Sequence, residues 1–76
     1  MMRLSCLLNI AACNLKAADF KQASLACEDA LKLDPDNYIA IYRRAKALAM
    51  PINSGVEEYM LAIKDLKRVV KLVDEP

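Results

Sequence analysis

Two stretches of this 76-residue chain repeat each other. Leu7-Leu8-Asn9-Ile10-Ala11-Ala12 lines up with Ile41-Tyr42-Arg43-Arg44-Ala45-Lys46 at a spacing of 34 residues. Farther along, Ala23, Ala30 and Leu33 line up with Ala62, Val69 and Leu72 at a spacing of 39, so five residues are inserted between Ala45 and Ala62. A period of this length means one supersecondary unit that cannot bury its apolar face alone and stacks on its neighbours. It points to a binding scaffold rather than a catalyst.

The unit is a helix–turn–helix. Leu4, Leu7, Leu8, Ala11 and Leu15 recur at helical spacing and predict a first helix from about Arg3 to Lys16. Ala17-Ala18-Asp19 is a turn, with Asp19 placed to cap a second helix that runs to about Leu33. That helix turns Phe20, Ala23, Cys27, Ala30 and Leu31 inward, with Phe20 filling the space between helices near the turn. Asp34-Pro35-Asp36-Asn37 stops it, because proline disfavours helix in the residue before it; Asp36 or Asn37 can start the next. A third helix spans Tyr38 to Met50 and ends at Pro51.

Ser54-Gly55-Val56-Glu57 fits a capping box for a last helix that reaches about Asp74. Its expected apolar face is Tyr59, Ala62, Ile63, Leu66, Val69, Val70 and Val73. Glu58, Lys64, Asp65, Lys67, Arg68 and Lys71 form its expected solvated side. No segment alternates with period two, so no strand is expected. The fold class is all-α, two stacked helix-turn-helix hairpins that continue a right-handed superhelix. The first repeat covers about 4–37 and the second about 38–76, with the insertion near 50–55. Ala11 and Ala23, and then Ala45 and Ala62, mark where paired helices touch; a larger side chain there would force the axes apart.

Length and charge bound the rest. A domain this small buries only about 60% of the surface of its unfolded chain, and at least three repeats usually make a continuous core. About two are present, with a hydrophobic fraction of 57%. The expectation is a piece of a longer protein or an obligate oligomer, with self-association through the exposed first or last helix. A net charge of +1 argues against general nucleic-acid binding. No run of 18 apolar residues could span a membrane, and no signal peptide is expected at the start. Cys6, Cys13 and Cys27 form no CxxC pair and the chain has no His, so neither a zinc site nor a disulfide framework is expected. The cysteines read as small buried hydrophobes, and the cytoplasm is the expected compartment. With no His, one Gly and no phosphate-binding loop, the chain is not expected to be an enzyme or to hold a cofactor or metal.

Leu8-Asn9-Ile10-Ala11-Ala12-Cys13, Asp19-Phe20-Lys21-Gln22-Ala23, Ala30-Leu31-Lys32-Leu33-Asp34-Pro35 and Tyr42-Arg43-Arg44-Ala45 resemble tetratricopeptide repeats over essentially the whole chain. More narrowly they resemble the last two repeats of the carboxylate-clamp class, which includes the large immunophilins (peptidyl-prolyl isomerases with a C-terminal repeat domain) and other co-chaperones. The resemblance implies a concave groove, lined by the first helix of each repeat, that binds the acidic C-terminal Glu-Glu-Val-Asp peptide of heat-shock chaperones. Asn9 falls on the clamp Asn of the middle repeat and Arg43 on the clamp Arg of the third. The clamp Lys would stand four residues before Arg43, where this chain has Ile39.

The residue chemistry suits that role. Asn presents amide donors without charge, and Arg can hold a carboxylate through two parallel bonds. Lys46, one turn after Arg43, can restore some of the charge lost at Ile39; Ser5 and Ala12 share the Asn9 face, and Ala12 leaves room for a peptide side chain. Plainer readings stand beside these: Asn9 as a solvent-side polar residue, Lys46 as a surface charge, Tyr38 and Tyr42 as packing residues. Arg44 stands where the repeat usually packs a hydrophobe, so its stem is expected to cover core while its head reaches water. The second function reading is a structural module that packs on neighbouring repeats or on a second copy, without a peptide ligand.

Overall fold

The computed structural model describes residues 3–74. Four helices follow one another: α1 (Leu4–Lys16), α2 (Phe20–Leu33), α3 (Tyr38–Ala49) and α4 (Val56–Asp74), with no strand among the described residues. α1 packs on α2 and α3 on α4. α2 and α1 both touch α3, whereas α2 and α4 do not touch each other. Two hairpins are thus stacked into a slab of 33 × 30 × 17 Å.

The helix ends have local causes. Ala18 takes a left-handed φ of 59°, which reverses the chain and lets the Asp19 amide donate to the Asn14 carbonyl at 2.8 Å. The Asp19 carboxylate accepts from the Gln22 amide at 3.4 Å. The Asn37 side chain caps α3 by accepting at Oδ1 from the Ala40 backbone amide at 3.0 Å, and its Nδ2 donates to Asp34 Oδ2 at 3.3 Å. The cap of α4 differs from the one expected. Glu58, not Glu57, reaches back, accepting from the Gly55 amide at 3.0 Å, and the Ser54 hydroxyl donates to the Leu48 carbonyl at 2.6 Å. The helix therefore starts one residue later, because the Ser54 hydroxyl ties the inserted segment back to the end of α3.

Among the described residues, eight of the eleven buried apolar side chains are alanines: 11, 23, 26, 30, 40, 45, 47 and 62, accompanied by Leu7, Cys27 and Ile41. Leu7, Ala30 and Ala40 meet where α1, α2 and α3 come together, with Leu4, Leu8 and Leu31 against them. Ala11, Ala26 and Cys27 form a second cluster. Interaxial distances of packed helices depend on the side chains at the contact, so a core of methyl groups brings the backbones close. Burial also pushes the Cys27 thiol up to about 11, against the lowering effect of Arg43 and Arg44. Cys6 and Cys13 are exposed, contrary to their reading as buried hydrophobes, because they lie on the side of α1 that faces away from α2 and α3.

α4 is rotated from its expected orientation. Ala62 and Asp65 are its buried residues, Val69 and Leu72 are half-buried, and Ile63, Leu66, Val70 and Val73 remain exposed. Asp65 was expected on the solvated side. It is 7% exposed and holds Arg44 through two parallel bonds, Nε to Oδ2 at 2.9 Å and Nη2 to Oδ1 at 2.8 Å. The Arg44 head is therefore paired with α4 rather than solvated. One turn on, Arg68 ties α4 to the α2–α3 turn, donating to the Pro35 carbonyl at 2.9 Å and to Asp36 at 2.7 Å.

Two stability outcomes follow. Ala11→Leu and Ala23→Leu should each destabilise by about 1–3 kcal/mol through overpacking, read as thermal or urea midpoints; unchanged midpoints would contradict the close approach of α1 and α2. Asp65→Ala should cost about 3 kcal/mol by stranding the Arg44 charge, while Arg44→Met with Asp65→Leu should regain most of that loss. Urea denaturation of the single and double variants separates the two outcomes.

Candidate functional site

A cleft on one face of the molecule has a volume of about 730 Å³, inside the range of roughly 300–1,000 Å³ for ligand sites. It lies along α3, with the end of α1 on one side and the end of α4 on the other. Tyr38, Ile39, Tyr42, Arg43 and Lys46 of α3 form its floor. Helical spacing accounts for this: positions 39, 42, 43 and 46 are one turn apart on one stripe, and Ala40, Ile41, Ala45 and Ala47 point the opposite stripe into the core. Ala12, Leu15 and Lys16 contribute the α1 wall; Val69 and Val73 contribute the α4 wall.

Charge is segregated within this cleft. Among the described residues Lys16, Arg43 and Lys46 line it and no acidic side chain does, although the whole chain carries a net charge of only +1. Arg43 is anchored: its Nη1 donates to the Leu8 carbonyl of α1 at 2.6 Å. A carbonyl has two lone pairs, so this bond is compatible with the helical one, and the remaining guanidinium donors are available to a ligand. The Lys46 ammonium sits 5.5 Å from the centroid of the Tyr42 ring, an attraction between cation and π face that restrains a flexible side chain. Two cations are thus held one turn apart, by a backbone carbonyl and by an aromatic ring.

Of the residues singled out from the sequence, Ala12, Arg43 and Lys46 come together in the cleft. Ser5 and Asn9 are exposed on α1, two turns and one turn before Ala12 on the same helix, and are outside the lining. Asn9 directly follows Leu8, whose carbonyl Arg43 holds. Lys16 was missed, although it stands four residues after Ala12 and so on its face. Tyr38 and Tyr42 line the cleft and are half exposed rather than packed away. Val69 and Val73 carry no such signal, since only the angle at which α4 crosses α3 brings its last turns to the site. Among the described residues no group of three or more potential metal ligands converges, and no helix is long and apolar enough to cross a membrane.

No protein-family model matches the chain. The chain is similar to peptidyl-prolyl cis-trans isomerase FKBP4. The identity is 35% over 71 residues for the proteins of Homo sapiens, Mus musculus and Rattus norvegicus. The match takes in 93% of this chain and 14% of each relative, so the chain spans about a seventh of their length. The shared stretch lies outside their isomerase domain.

Proposed function

We propose that the chain is a tetratricopeptide-repeat segment of a co-chaperone, a cytoplasmic protein-interaction module whose groove holds the acidic C-terminal peptide of a heat-shock chaperone. In this reading the two hairpins are two repeats, 4–37 and 38–76, and the groove tethers whatever else the parent protein carries to a chaperone complex. The observation that supports it most is a cleft lined, among the described residues, by Lys16, Arg43 and Lys46 and by no acid. Arg43 and Lys46 would take the terminal carboxylates; Asn9, with Ser5 one turn away, would supply uncharged donors at the α1 edge of the groove. Similarity to an isomerase whose catalytic domain lies elsewhere fits a binding role. Any isomerase activity would belong to a part of the parent outside this chain.

A second reading has its own support. Met60, Ile63, Leu66 and Val70 form an exposed apolar stripe along α4, so a structural module that self-associates or packs on further repeats fits that helix. The two readings respond differently to salt, because screening weakens exposed charge pairs and leaves apolar packing in place.

Fluorescence anisotropy with a labelled Met-Glu-Glu-Val-Asp peptide tests the proposal. Binding should vanish when the peptide C-terminus is amidated, weaken with added salt, and fall by about tenfold or more in Lys46→Ala and in Arg43→Ala. Lys46 makes no bond that holds the helices together, so its loss reads the site without the fold; the Arg43 variant also loses the Leu8 bond and needs a melting curve alongside. Equal binding of the free and amidated peptides would rule the clamp out.

A further inference from the structure

Ile39 stands where the clamp resemblance would have a lysine, and the structure gives that position a different chemistry. It is 37% exposed in the cleft beside Tyr38, which is 49% exposed. Val69 and Val73 of α4 close the same end, and among the described residues no charged side chain lines that wall. The cations lie farther along: Arg43 is four residues on and Lys46 seven, about 6 Å and about 10 Å by the rise of a helix, and Lys16 belongs to the α1 side. The lining cations are therefore gathered away from Ile39, with Leu15 and Met50 among them, and the Ile39 end is apolar.

Those distances match an extended peptide. Side chains on one face of an extended chain recur every two residues, about 6.6 Å. A terminal residue whose carboxylates are held at Arg43 and Lys46 places the side chain two residues earlier on Ile39. A glutamate there would lose hydration against an apolar wall with no cation to meet it, whereas a branched aliphatic side chain would bury area. Building on the groove reading above, we propose that this site selects C-terminal peptides with a free carboxylate terminus and a bulky apolar side chain two residues before it, in place of an acidic one.

The experiment compares labelled Met-Glu-Glu-Val-Asp, Met-Glu-Leu-Val-Asp and the amidated form of the latter, on the full chain and on Ile39→Lys and Ile39→Ala. Ile39 is partly exposed, so both variants should keep the helical circular dichroism of the parent. The leucine peptide should bind the unmodified chain about tenfold tighter than the glutamate peptide, the ratio for partly burying one aliphatic side chain. Ile39→Ala should erase most of that preference, Ile39→Lys should reverse it, and amidation should abolish binding. If the glutamate peptide binds the unmodified chain as tightly or more tightly, with amidation still abolishing binding, the apolar selectivity is wrong and the groove stands. If no peptide shows binding that depends on the free terminus, the groove reading falls and the selectivity with it.

Discussion

The structure depends on methyl groups. Most of the buried apolar positions are alanine, and this decides how the helices can meet. Alanine contributes little burial per residue, so the fold gains its contact from proximity rather than from interlocking large side chains. Close approach is also what allows Arg43 to reach from α3 to a carbonyl within α1 at 2.6 Å. A leucine at Ala11 would spread α1 from its neighbours, and the groove would be altered together with the core.

α3 carries the molecule's division of labour on adjacent residues. Arg43 points to α1 and the cleft, whereas Arg44 points to α4 and is held by Asp65. One guanidinium is held through two nitrogens by a nearly buried carboxylate and is structural; its neighbour is fastened through one nitrogen and keeps further donors. A buried pair of this kind is weak support for stability but fixes orientation, and here it sets the rotation of α4 about its own axis. That rotation turns Val69 and Val73 to the end of the groove and leaves Ile63, Leu66 and Val70 on the surface.

The helices were legible because alanine and leucine recur at helical spacing and because Asp19, Asn37 and Pro51 punctuate them. Their ends fall within a residue or so of those expected. What failed were faces. Asp65 read as solvated because a charge is usually outside, and nothing in the local pattern of α4 announces a partner 21 residues away on α3. Cys6 and Cys13 read as buried because small residues often are, but burial needs a neighbour on their side of α1. The shared stripe of Arg43 and Lys46 follows from spacing alone, and Ala12 meets it through the repeat offset. The part of the cleft built by the end of α4 depends on a crossing angle that no local motif encodes.

The central claim is that the cleft over α3 is where a free carboxylate binds. Amide chemical-shift mapping by NMR during titration with Met-Glu-Glu-Val-Asp tests it residue by residue. The largest shifts should fall at Ala12, Lys16, Ile39, Arg43 and Lys46, with little change at Ser24, Glu28 and Leu61 in the separate crevice between α2 and α4. Shifts concentrated at that crevice, or along the exposed stripe of α4, would contradict it.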